Sequence, residues 1–225
     1  MTAGLWTHWL VPGIWVTVLL TVSAAVLAAL IAFGVGVARG SRAWWVRILS
    51  GLYVELLRGT SALVLMFWLF FVVPLAFRIH MLPMWAAVLA LGLSFGAYGS
   101  EIVRGALAAV PPGQREAATA IGFTPLQELW RVLLPQAIPE MIPPFTNLLI
   151  ELLKATALVS AVSVADISFA AQLCRLATGK SLEVYVIVLA IYFVLAFAIT
   201  RAMRLVERRA RARIGQLVGA PRVAR

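Results

Sequence analysis

A chain of 225 residues that is 63% apolar and 12% charged lies outside the range of soluble domains, and its apolar residues come in runs instead of stripes. The net charge of +10 invites a nucleic-acid reading, but the basic residues sit at the edges of the apolar runs and not over a polar surface, so nucleic acid is excluded and a bilayer is indicated. A single cysteine, Cys174, permits neither an internal disulfide nor a cysteine metal site, and His8 and His80 lie far apart without ligand-like neighbours and read as interfacial residues.

Residues 1–12 are uncharged, with Trp6 and Trp9 suited to a membrane interface, and no basic n-region marks a signal peptide, so the first apolar run is expected to be retained. That run, Gly13 to Ala38, is long enough to span with some tilt and ends at Arg39, Arg42, Trp44, Trp45 and Arg47. A second span is expected from roughly Leu49 to Phe77, with Glu55 and Arg58 at its cytoplasmic end, followed by a turn with Arg78, His80 and Pro83. The third, about Met84 to Ala109, carries Gly92 and Gly96 at the spacing that lets helices touch closely, and Glu101 and Arg104 as it leaves the membrane. The fourth is expected from about Ile138 to Val162 with Glu151 and Lys154 near its middle. Ser163 to Glu183 reads as a short surface helix, and Val184 to Thr200 as the fifth span. A basic tail, 201–225, follows with eight arginines.

Between the third and fourth spans lies a polar stretch, Arg104 to Pro135, that reads as two short helices in water. Pro111, Pro112 and Gly113 stop the preceding helix, Glu116 suits the first turn of the next, and Gly122 suits its C′ position. Thr124, Pro125 and Gln127 then compose an N-cap, an N1 proline and a capping box. With the N-terminus outside, fourteen Lys and Arg face the cytoplasm against Arg78, Arg175 and Lys180 outside, which satisfies the positive-inside rule and puts this stretch in the cytoplasm with the C-terminus.

Charge within a membrane needs a reason, and Glu55 with Arg58, Glu101 with Arg104, and Glu151 with Lys154 supply three cases, each spaced i, i+3. Each pair fits either a local ion pair on one helix face or the lining of a solvated path. Tyr98 and Asn147, one turn before Glu101 and Glu151, add neutral hydrogen-bonding groups to such a path. Gly179-Lys180-Ser181 ends like a Walker A sequence, but Cys174 stands where its first Gly is required, so it reads as a loop. No nucleophile with a visible base and no HExxH-type metal spacing is present.

Glu116-Ala117-Ala118, Gly122, Val132, Leu134 and Pro135 together resemble the EAA loop of bacterial ABC importer permeases, with Val132 where Ile is usual. The stretches Tyr53 to Thr60, Ala97 to Gly105, Pro135-Gln136-Ala137 and Asn147 to Lys154 resemble the polar amino-acid branch of that family. The resemblance implies an all-α integral membrane protein: a type I ABC importer permease with a five-transmembrane-helix core, occupying residues 1–225 as a single domain in the bacterial inner membrane. Residues 104–135 would form the cytoplasmic coupling loop, with Gly113, Gln114, Glu116, Ala117, Ala118 and Gly122 as ATPase-coupling residues. The implied partners are a second permease, identical or homologous, two ATP-binding subunits that hold ATP and Mg, and an extracytoplasmic solute-binding protein. No cofactor is expected in this chain, which would not be an enzyme. The path between two permeases would draw on Glu55, Arg58, Ser61, Tyr98, Glu101, Asn147, Glu151 and Lys154.

Two departures bear on the solute. Ser61 stands where the branch usually has Pro, and Lys154-Ala155-Thr156-Ala157 where it usually has Lys-Asp-Thr-Ser. With those residues the chain resembles permeases for ectoine and hydroxyectoine as well as those for polar amino acids. An ATP-independent channel or secondary carrier, which more often shows internal repeats, and a membrane scaffold are the competing classes.

Overall fold

The computed structural model describes residues 2–41 and 43–213; Arg42, the side chain of Trp6 and the 214–225 part of the basic tail lie outside the described residues. The elements in chain order are α1 (Thr2–Ala38), α2 (Trp44–Gly59), α3 (Ala62–Phe77), α4 (Pro83–Ala108), α5 (Pro112–Ala120), α6 (Pro125–Val162), α7 (Ile167–Thr178) and α8 (Ser181–Arg213). Among the described residues α1, α4, α6 and α8 are long and apolar enough to cross a membrane, and α2 with α3 supplies a fifth candidate.

The centre of the bundle is the contact of α1 with α4, and small residues bring them together. A Cβ on Gly96 would stand 2.7 Å from Ile31 Cγ2, one on Gly99 2.8 Å from Ala32 Cβ, and one on Gly36 2.7 Å from Val103 Cβ. Because these partners advance together along both chains, the two helices run parallel, and α6 crosses them antiparallel with Phe145 and Leu148 beside Gly99. Without a hydrophobic drive between helices in lipid, such close approach is how dispersion holds them. Leu20, Ala24, Leu91, Phe95, Leu152 and Val159 fill one core, and Ala32, Val103, Leu133 and Met141 a second, nearer the polar stretch.

Three expectations change. The second span is not one helix: the chain turns through 101° between α2 and α3, at Thr60 and Ser61, both extended. Ser50 and Val54 face inward on α2, whereas Trp45, Leu49, Leu52 and Leu56 share its exposed face. The helix after Thr124 is not a separate short one either, for α6 continues from Pro125 to Val162. A π turn at Leu129–Leu133 keeps it continuous where Pro135 would otherwise clash with the preceding turn, and Trp68–Val72 does the same before Pro74. Third, α7 is more than a surface helix. Ile167 N donates to Thr17 Oγ1 at 3.2 Å, and a Cβ on Gly13 would lie 3.0 Å from the Asp166 carbonyl, so α7 is seated on α1.

Candidate functional site

The turn between α2 and α3 opens a cavity of 380 Å³ whose walls are Arg58 to Ala62, Ser94, Phe95 and Tyr98 of α4, and Glu151 and Ala155 of α6. At 1.5 Å per residue α3 is about 24 Å long, short of a hydrocarbon core of about 30 Å, so the extended Thr60 and Ser61 lie at membrane depth. Irregular backbone is tolerated there where it lines a cavity. Arg58 is held twice to Tyr98: the tyrosine hydroxyl donates to its carbonyl at 3.3 Å, and its guanidinium lies 5.4 Å from the ring centroid. The cavity therefore presents a cation, Arg58, and an anion, Glu151, with the hydroxyls of Thr60, Ser61, Ser94 and Tyr98 between elements of opposite charge. A larger groove of 480 Å³ along α1, α6 and α8 has only Thr21 as a polar member, and its hydroxyl already donates to Thr17 O at 2.7 Å, so it offers a zwitterion no partner.

Of the expected path residues, Arg58, Ser61, Tyr98 and Glu151 meet in this cavity. Glu55, Asn147 and Lys154 are exposed outside it. Glu101 lies outside it as well, paired with Arg104 at 2.8 Å and with Arg39 at the end of α1. Of the three i, i+3 pairs, only Glu101 with Arg104 forms an ion pair among the described residues.

The polar stretch keeps the predicted termini. Gly122, φ 79°, closes α5 in a Schellman motif: Phe123 N donates to Ala118 O and Gly122 N to Thr119 O, each at 3.0 Å. Thr124 and Gln127 exchange both bonds of a capping box, at 2.9 and 3.3 Å. Ala118 faces inward, while Gly113, Gln114, Glu116, Ala117 and Gly122 are exposed, and Ile121, Leu126 and Trp130 add large exposed apolar groups to the same end of the protein.

Residues 30–212 match the family described as binding-protein-dependent transport system inner membrane component. The chain belongs to this family. Its curated relatives include a probable amino-acid ABC transporter permease, y4tF, of Sinorhizobium fredii, 47% identical over 90% of this chain and 88% of that one. The L-cystine transport permease TcyB of Bacillus subtilis is 36% identical over 88% and 84%. The glutamine transport permease GlnP of Escherichia coli is 30% identical over 87% and 88%. Among solved structures, that of an amino acid ABC transporter with histidines superposes with TM-score 0.82 at 31% identity, over 91% of this chain and 95% of that one.

An amino-acid ABC importer permease of the inner membrane is thus the setting for the cavity, and it carries no catalytic residues, since ATP hydrolysis belongs to a partner subunit. Within that setting Ser94 is the residue sequence reasoning missed. The residue is 2% exposed and its Oγ has no hydrogen-bond partner, an expensive arrangement for a buried hydroxyl. Its signal was present: Ser94, Tyr98 and Glu101 repeat at helical spacing along one stripe of α4. Of the residues that depart from the permease pattern, Ser61 and Ala155 line the cavity as well, and Ala157 does not.

Proposed function

We propose that this permease imports a small zwitterionic amino acid through the 380 Å³ cavity, with Arg58 meeting the solute's carboxylate and Glu151 its ammonium. The single observation that supports this reading is the convergence of opposite charges and an unpartnered hydroxyl, Ser94, on one cavity at the break between α2 and α3. The relatives named for L-cystine and glutamine transport carry solutes of that class. A second permease copy would close the exposed side where Asn147 and Lys154 stand, a solute-binding protein would deliver from outside, and two ATPases would drive alternation between outward-open and inward-open states. The exposed apolar and small residues around Ile121 and Gly122 suit docking into such an ATPase.

Ectoine or hydroxyectoine is the second reading, favoured by Ser61 and Ala155: replacing the usual Asp with Ala removes one acid from the cavity wall and suits a compact cyclic zwitterion. The test is uptake into proteoliposomes holding the permease, its ATPase and its binding protein, with labelled glutamine, arginine and ectoine offered in turn. ATP-dependent uptake of one of them, reduced at least tenfold by Arg58→Met and by Glu151→Gln, is expected. Uptake that needs no ATP would make the protein a channel or secondary carrier, and normal uptake in both variants would remove the solute from this cavity.

A further inference from the structure

The loop from Ala109 to Phe123 is tied to the bundle by side chains at both ends. From α5, Arg115 Nη2 donates to the carbonyl of Leu107 at 3.3 Å, in the last turn of α4, and its Nη1 lies 3.8 Å from Glu128 in the first turn of α6. The Gln136 amide donates to the Gln114 carbonyl oxygen at 3.1 Å. The second bond matters because of where it falls. Along the chain, α5 connects to the body of α6 only through the π turn Leu129–Leu133 and Pro135, where the regular ladder is interrupted. Gln136 lies beyond that weak point and Gln114 before the turn at Gly122, so their bond bypasses both.

The Arg115 contacts are poor candidates for stability devices. An exposed ion pair at 3.8 Å contributes little, and the Leu107 carbonyl is one of the last of its helix, which water would otherwise satisfy. Their effect is geometric. The two helices they grip, α4 and α6, are the ones that carry Ser94, Tyr98 and Glu151, so a displacement of α5 reaches opposite walls of the cavity. We infer that Arg115 and Gln136 are positioning residues that bind α5, α4 and α6 into one moving body and so convert motion at the loop into motion of the cavity walls. This rests on the reading of the loop as the site where an ATPase docks. Glu116 points outward with Ala117 while its neighbour Arg115 turns back to the bundle, which divides docking from transmission between adjacent residues.

The test uses the complete importer in proteoliposomes, with solute uptake and ATP hydrolysis measured on the same vesicles for Arg115→Ala, Gln136→Leu and the pair. Co-purifying ATPase and basal hydrolysis should stay near wild type while solute moved per ATP falls about tenfold, a size ordinary for coupling between two sites. Arg115→Lys, which keeps the charge and a donor, should recover part of the loss. An unchanged ratio in the double variant overturns the inference. So does a proportional fall of uptake, hydrolysis and co-purified ATPase, because the residues would then only hold the loop's shape. Should the double variant fail to assemble, Arg115→Ala and Gln136→Leu singly decide it by the same ratio. Failure of the docking reading itself is a different outcome: full ATPase co-purification and uptake in Gly122→Arg.

Discussion

The Tyr98 hydroxyl donates to the carbonyl of Arg58 at 3.3 Å while the Arg58 guanidinium sits over the Tyr98 ring, so one side chain of α4 fixes both the backbone and the charge at the end of α2. Tyr98→Phe removes only the hydrogen bond, worth about 1 kcal/mol, and should raise the KM for uptake a few-fold. Tyr98→Leu also removes the cation–π contact and should cost more. Equal kinetics in the two variants would show that the ring face has no part in holding Arg58.

Ser94 separates stability from transport. Replacing a buried hydroxyl that lacks a partner with Ala relieves its desolvation, so Ser94→Ala should melt at or above the wild-type temperature. Uptake should weaken roughly five-fold, the loss of one hydrogen bond of about 1 kcal/mol to solute. A variant less stable and fully active would contradict both halves.

The parallel contact of α1 and α4 predicts opposite outcomes for two glycines of the same helix. Gly96→Val places methyl groups where Ile31 stands, 2.7 Å from the first added carbon, and should destabilise the protein by about 1–3 kcal/mol in detergent melts. At Gly105 nothing lies within 4 Å of an added Cβ, so Gly105→Ala should stabilise by about 0.5–1 kcal/mol through helix propensity.

Asp166 caps α7 by accepting from Phe169 N at 2.9 Å, yet its side chain is fully buried. Burial raises its carboxyl above the ordinary value, against the backbone hydrogen bonds that favour the charged form. The protonated form is therefore the one the fold prefers. Its contribution to stability is full below the ordinary carboxylate range and is lost as pH rises through the raised value. Asp166→Asn keeps a capping oxygen without the charge, so melts from about pH 4 to 8 should show a flatter pH dependence than wild type. Asp166→Ala should show the same flattening and, at the acid end where the wild-type carboxyl is protonated, should lose about 1 kcal/mol through the missing cap.

Most of the architecture was legible in the sequence because it rests on local chemistry. Gly122 needs a positive φ wherever it closes a helix, the Thr124 capping box needs only three residues, and the α1–α4 contact is announced by glycines four apart. The site was half legible. Arg58, Ser61, Tyr98 and Glu151, which share the cavity, stand out in the sequence as polar groups in apolar runs, but which of the charged pairs would close does not. Glu101 is taken by Arg39 from a different helix, a contact sixty-odd residues away that no i, i+3 rule sees. The 101° turn was hidden because apolar residues dominate Leu49 to Phe77 on both sides of Thr60 and Ser61, and hydropathy cannot distinguish one straight helix from two joined at a bend. Ser94 was passed over for the opposite reason: a serine is ordinary in a membrane helix until its partner is seen to be missing.

The positions of Ser61 and Ala155 have a bearing on how such an importer changes its cargo. Ser61 stands in extended backbone between α2 and α3, Ala155 where α6 tightens from α-helix to a 3₁₀ turn, and neither belongs to the glycine-lined seam that holds α1 against α4. On the proposed reading, substitution there would alter the shape and charge met by the solute at positions away from that seam, Ala155 also packing against the core around Leu152 and Val159. A change of cargo by such substitutions would then leave the α1–α4 seam as it is.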